Sequence, residues 1–222
     1  MVRRPYATEV RVKISDNFFD KESIVSLKTN ASIFSGDSPG IGGTVAGDLD
    51  LVLLKPSVYI PPQAEIRVES RITDGDRWSE WIPKGVYYID TRQNEVREDG
   101  NDHLKIHAFD RMIFAESDYP SSKLSWPATD ISVVKEIAAA MGCKVDPDTL
   151  AGMGFGYRIN LPAGYSMRET LGYIGGMYAA SWIMSDGGDL RMVGMMDIPK
   201  ETFYLLDENR NAITFGGDRI LV

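Results

Sequence analysis

Glu9-Val10-Arg11-Val12-Lys13-Ile14 alternates strictly between charged and β-branched apolar residues. A period of two puts Val10, Val12 and Ile14 on one face and Glu9, Arg11 and Lys13 on the other, which is the pattern of a half-buried strand. Working outward, the same pattern predicts strands at residues 23–33, 45–54, 64–73, 77–82, 86–93 and 103–109. Between them lie segments of turn chemistry: Ser35-Gly36-Asp37-Ser38-Pro39-Gly40, Pro61-Pro62, Asp74-Gly75-Asp76 and Glu98-Asp99-Gly100-Asn101-Asp102. Short strands separated by such turns predict an antiparallel β-barrel-like or sandwich domain. The tightest hairpin is expected at Asp74-Gly75-Asp76, where Asp-Gly accepts positive φ.

The pattern changes after Arg111. Thr129 or Asp130 can cap a helix whose apolar residues Val134, Ile137, Ala138 and Met141 share one face, with Gly142 as its stop. Ser166-Met167-Arg168-Glu169 is a capping box opening a second helix with Met167, Leu171, Ile174 and Tyr178 as its buried stripe. Gly172, Gly175 and Gly176 weaken that helix, so they are expected to admit a close neighbour. Residues 180–185 and 190–195 then read as a hairpin turned at Asp186-Gly187-Gly188-Asp189. The expected class is α+β. Residues 1–112 form the antiparallel β domain and 113–200 a small α/β insertion of two helices plus a hairpin. Residues 201–222 begin a second β domain, and the strand ending at Val222 predicts that more chain follows.

The 222 residues are 43% hydrophobic and 25% charged, ordinary for a globular chain, so disorder and coiled coil are excluded. A lone cysteine, Cys143, rules out an internal disulfide and multi-thiolate zinc sites, and is expected to be a buried structural thiol. The net charge of −8, without a basic run longer than Arg3-Arg4, argues against sequence-specific nucleic-acid binding. The apolar stretch at residues 167–184 is interrupted by Arg168, Glu169 and Thr170, so no membrane span is expected. With no signal peptide, the chain reads as a soluble product of a reducing cytoplasm, and Asn30-Ala31-Ser32 as a chance sequon.

Candidate chemistry is thin. His103 and His107 lie on a strand, where a separation of four residues sets them about 13 Å apart, too far to share one metal ion. They are expected on the solvent face beside Lys105. The pairs Asp74/Asp76, Asp146/Asp148 and Asp186/Asp189 sit beside Gly or Pro and read as turn residues, with calcium as the alternative. Gly40-Ile41-Gly42-Gly43 and Gly152-Met153-Gly154-Phe155-Gly156 lack nucleotide-loop spacing and read as loops. Gly164-Tyr165-Ser166-Met167-Arg168 lacks the last glycine of a serine-nucleophile elbow. No catalytic residue, cofactor or metal is therefore expected. The remaining candidate interaction surface is Trp78, Trp81, Tyr87 and Tyr88, with Trp78 and Tyr88 outward. These rings read as core and subunit packing, with a cell-wall or carbohydrate-binding module as the alternative.

The order of elements carries a resemblance. Ile33-Phe34-Ser35-Gly36-Asp37-Ser38-Pro39-Gly40-Ile41-Gly42-Gly43 with the strand after it resembles the opening of tail-tip (baseplate hub) proteins of long-tailed bacteriophages and prophages. So do Ser79-Glu80-Trp81-Ile82-Pro83-Lys84-Gly85-Val86-Tyr87-Tyr88-Ile89-Asp90 and Leu104-Lys105-Ile106-His107-Ala108-Phe109-Asp110-Arg111-Met112. Residues 131–145 and 165–193 resemble the helical insertion of that family. The resemblance implies a non-enzymatic virion protein, a homotrimer at the tail tip, made in the host cytoplasm. It would join the tube end to the tip, contact distal tail and tape-measure proteins, and line the channel for tape-measure protein and DNA. An acidic lumen would repel rather than bind passing phosphate. A phage-derived injection device would use the same kind of hub. Family members are commonly longer, and a C-terminal hydrolase or receptor-binding region is not carried over.

Overall fold

The computed structural model describes residues 7–33, 40–54, 56–73, 75–96, 102–194, 214–215 and 218–219. The stretch at 34–39, Lys55, Asp74, the expected turn at 97–101 and most of the final segment lie outside the described residues.

Seven strands make one antiparallel sheet: β1 (Ala7–Ile14), β2 (Asn17–Phe19), β3 (Ile24–Asn30), β4 (Asp48–Leu54), β5 (Glu65–Thr73), β6 (Ile82–Val96) and β7 (Asp102–Asp110). Their order is β2-β1-β5-β6-β7-β4-β3. The two edge strands, β2 and β3, are consecutive in the chain and are joined through Asp20, Lys21, Glu22 and Ser23. So short a link brings the edges of the sheet back toward each other, and the sheet curls into a half-barrel. The β1 alternation is realised as expected: Val12 and Ile14 join Leu49, Leu51, Leu53, Ile66, Val68 and Ile106 in the core inside the curl.

The expected strand at 86–93 lies within one long strand, β6, which begins at Ile82, while residues 77–81 of the other expected strand precede it outside the sheet's strands. It pairs with β5 over residues 82–88 and with β7 over residues 87–96, with one register shift opposite Val68/Glu69 and another between Ile89 and Thr91. His103 also departs from expectation. It lies opposite Leu54 on β4 and Glu95 on β6 and is 2% exposed, whereas His107 on the same strand is part-exposed.

A 3-10 turn (Arg111–Glu116) leads into the second unit, with β8 (Ala128–Thr129), α1 (Asp130–Met141), α2 (Pro147–Gly152), β9 (Arg158–Ile159), α3 (Met167–Met177), β10 (Ala180–Met184) and β11 (Leu190–Gly194). Two further two-residue strands, β12 (Thr214–Phe215) and β13 (Asp218–Arg219), pair with each other. The caps are those read from the sequence: Thr129 accepts from Ser132 N, Gly142 is left-handed, and Ser166 and Glu169 form the reciprocal capping box. Tyr178 caps α3 at its C-terminus instead of lying in its stripe, and its hydroxyl donates to the buried Asp130. The short α2 is an addition, capped by Asp146 with Pro147 in its first turn. This unit has its own core, with Met112, Val133, Ile137, Leu171, Ile174 and Trp182 fully buried.

Residues 42–47 tie the two cores. Gly42 N donates to Ala180 O at 2.7 Å, and Trp182 N donates to Gly43 O at 2.7 Å. Trp182 in turn donates its indole N–H to Leu171 O at 2.7 Å. The helix glycines do admit close neighbours: a Cβ on Gly42 would lie 2.6 Å from Gly172 O, and one on Gly175 would lie 2.9 Å from Ala180 O. A Cβ on Gly176 meets nothing within 4 Å. Two adjacent Gly→Ala changes should therefore have opposite signs. Gly176→Ala should stabilise by about 0.5–1 kcal/mol through helix propensity, while Gly175→Ala should destabilise by about 1–3 kcal/mol through overpacking against β10. Urea unfolding of both variants checks this.

Candidate functional site

The outer face of β1 and β5 carries a ladder of charges and rings. In the antiparallel register Glu9 faces Arg71 and Arg11 faces Glu69. Both pairs close as ion pairs at 2.6 Å. The segment before β6 folds back across these strands, held by Ser79 N donating to Ile72 O at 2.8 Å and by a bridge from Thr73 to Trp78. It lays Trp78 and Trp81 over the guanidinium groups. Arg71 lies 4.6 Å from the Trp78 ring and 4.5 Å from Trp81, while Arg11 lies 4.1 Å from Trp81 and 4.7 Å from Phe18. The stack Trp78–Arg71–Trp81–Arg11–Phe18 leaves Phe18 56% and Trp78 42% exposed at its two ends.

The four candidate rings do not form one patch. Trp78 and Trp81 share the ladder. Tyr88 is further along the outer face, where its hydroxyl donates to Glu65 at 2.9 Å and Arg111 stacks on it at 4.6 Å. Tyr87 points the other way, into the core. The sequence reading missed Arg11 and Arg71, although both occupy outward positions of alternating strands. The signal that could have found them is cross-strand: only the pairing of β1 with β5 shows which arginines are adjacent to the tryptophans.

Tyr87 and Asp110 line a cleft of about 370 Å³ between the inner side of the sheet and the β10–β11 hairpin, with Val86, Lys84, Met184 and Asp186. Asp110 ends β7 and caps the 3-10 turn: its carboxylate accepts from Gly47 N at 2.7 Å and from Met112 N at 2.9 Å. Burial outweighs those bonds and pushes its pKa up to about 6. Burial, then the nearby Asp110 charge, pushes the Tyr87 phenol up to about 12.

The other candidates have structural uses. Asp146 accepts from Thr149 N at 3.1 Å as a helix cap. Cys143 is partly buried against the second core, and burial pushes its thiol up to about 11, far from a nucleophile's range. Among the described residues no helix is long and apolar enough to cross a membrane.

No protein-family model and no curated protein matches the chain in sequence. Solved structures do match it in fold. The 43 kDa tail protein of prophage MuSo2 from Shewanella oneidensis is similar with a TM-score of 0.57 at 14% identity, over 85% of this chain and 56% of that one. The tail protein from Neisseria meningitidis gives 0.56 at 12% identity, over 93% and 53%. Prophage tail protein gp18 from Listeria monocytogenes gives 0.50 at 7% identity, over 90% and 55%. The chain thus has the fold of prophage tail proteins and spans just over half the length of each.

The ladder and the buried acid each generate a test. Arg71→Ala removes one ion pair and two ring contacts, and should cost about 1–2 kcal/mol in urea unfolding. Arg71→Lys should recover only part of this, because an ammonium cannot stack between two indoles. For Asp110 the native pKa is raised, so between about pH 4 and about pH 6 the folded chain holds a proton that the unfolded chain has released. Its contribution to stability is full at the acid end and is lost as pH rises through about 6. Wild type should therefore lose about 1–3 kcal/mol relative to Asp110→Asn between about pH 4 and about pH 7, on top of a pH-independent offset, measured as paired unfolding curves.

Proposed function

We propose that the chain is a non-enzymatic structural component of a phage or prophage tail, acting at the tail-tip hub between the tube end and the tip. The observation that carries this reading is the fold, which is shared with prophage tail proteins over 85% or more of the chain. The two separate cores support a division into a β domain at 1–112 and an α/β insertion at 113–200. In this reading the chain assembles as a homotrimer around the channel, beside distal tail and tape-measure proteins, and its net charge of −8 keeps passing DNA from sticking.

The outer-face ladder suits an assembly contact better than a sugar platform. Trp81 has both Arg11 and Arg71 over its ring and Trp78 has Arg71, with carboxylates already paired to both arginines. What the ladder offers a partner is its exposed ends, Phe18 and Trp78, on a strand pair held rigid by paired charges. Rigid aromatic anchors at low entropy cost are what protein contacts favour.

Native mass spectrometry and light scattering at micromolar concentration test the assembly. Trimers are expected for the native chain, and Phe18→Asp combined with Trp78→Asp should shift the population to monomer without changing the circular dichroism spectrum. A chain that stays monomeric at every concentration would remove self-association of this region.

A further inference from the structure

β4 reads Asp48-Leu49-Asp50-Leu51, and since Leu49 and Leu51 are fully buried, both aspartates stand on the outer face. The adjacent strand β7 places His107 directly opposite Asp50. Its Nδ1 lies 2.9 Å from Asp50 Oδ1, and one ligand atom from each of Asp48, Asp50 and His107 falls within 4.8 Å of the others. The pair of histidines fails as a metal site along its own strand. His107 instead finds two carboxylates across the sheet.

We propose that Asp48, Asp50 and His107 form a surface site for a divalent transition metal ion of the zinc class. Two observations carry it. The donor set is one nitrogen and two oxygens, which zinc accepts and which hard calcium, preferring six to eight oxygens, does not. The spacing fits: tetrahedral ligands at about 2.0–2.2 Å from zinc lie roughly 3.4 Å apart, so the three atoms close on an ion through small side-chain rotations.

The surroundings orient the donors. Asn30 Nδ2 donates to Asp48 Oδ2 at 2.9 Å, which leaves the second oxygen of that carboxylate for the ion. Phe109 holds the imidazole edge to face at 4.8 Å and 86°. The side chains of His107 and Asp50 are 33% and 48% exposed, so water can reach the remaining coordination position. Lys28 lies opposite Asp50 on β3 and Lys105 precedes His107 by two residues on β7, so an incoming ion competes with two mobile ammonium groups. A bound ion would cross-link β4 to β7 near the end of the half-barrel.

Isothermal titration of the tag-free chain with zinc chloride, and separately with calcium chloride, tests the site. One zinc ion per chain should bind saturably and calcium far more weakly. Asp50→Asn and His107→Gln should each weaken zinc by roughly tenfold or more, with circular dichroism confirming the fold, and Cys143→Ser should leave it unchanged. Absence of saturable zinc binding would overturn the proposal. So would binding that survives Asp50→Asn and His107→Gln alike, or that disappears with Cys143→Ser.

Discussion

The structure depends on the segment 42–47, which is hydrogen-bonded to something different at each end. At one end Gly42, Gly43 and Thr44 pair with Ala180, Ser181 and Trp182 of the hairpin. At the other, Gly47 and Asp110 exchange two bonds: the Asp110 carboxylate accepts from Gly47 N, and Asp110 N donates to Gly47 O. Asp110 also starts the 3-10 turn through Met112 N, so one buried carboxylate sets where the sheet stops and the second unit starts. A charge there is costly, as its raised pKa records, and what it secures is the relative position of two cores. Trp182 serves the opposite side of the joint, fully buried and bonded through both its backbone and its indole.

Much of this architecture was legible because it is local. The alternation from Glu9 to Ile14, the Ser166/Glu169 capping box and the Gly142 stop all depend on residues within one turn or one strand of each other, and each is where the pattern puts it. The failures share a cause as well. The alternation does not show that His103 is buried while Lys105 on the same strand is exposed, nor that residues 77–81 fold back against β5 through Trp78 and Ser79 before β6 begins. The two tryptophans were singled out from composition, but their meaning comes from Arg71 and Arg11, which lie 10 and 70 residues before Trp81 in the chain. Pairing across a sheet is the information that a single sequence does not display.

The most polar outer face of the molecule is occupied by charges that neutralise one another and stack on rings, so the face is stiff and largely satisfied, with apolar area left at its ends. Of the acids flagged by spacing, Asp146 caps α2. Shape held by strand pairing, with two cores locked by a shared strap, suits a part that must keep its position within a larger assembly. The likeness to prophage tail proteins at 7–14% identity fits such a part, since what those chains have in common is backbone arrangement.

The most direct measurement is electron cryomicroscopy, with mass spectrometry, of tail-bearing particles purified from the cells that produce this chain. The account predicts that the chain is a stoichiometric component and that its half-barrel and hairpin fit density arranged around the axis at the tail tip. Intact particles that lack the chain, or that carry it only away from the tip, would contradict it.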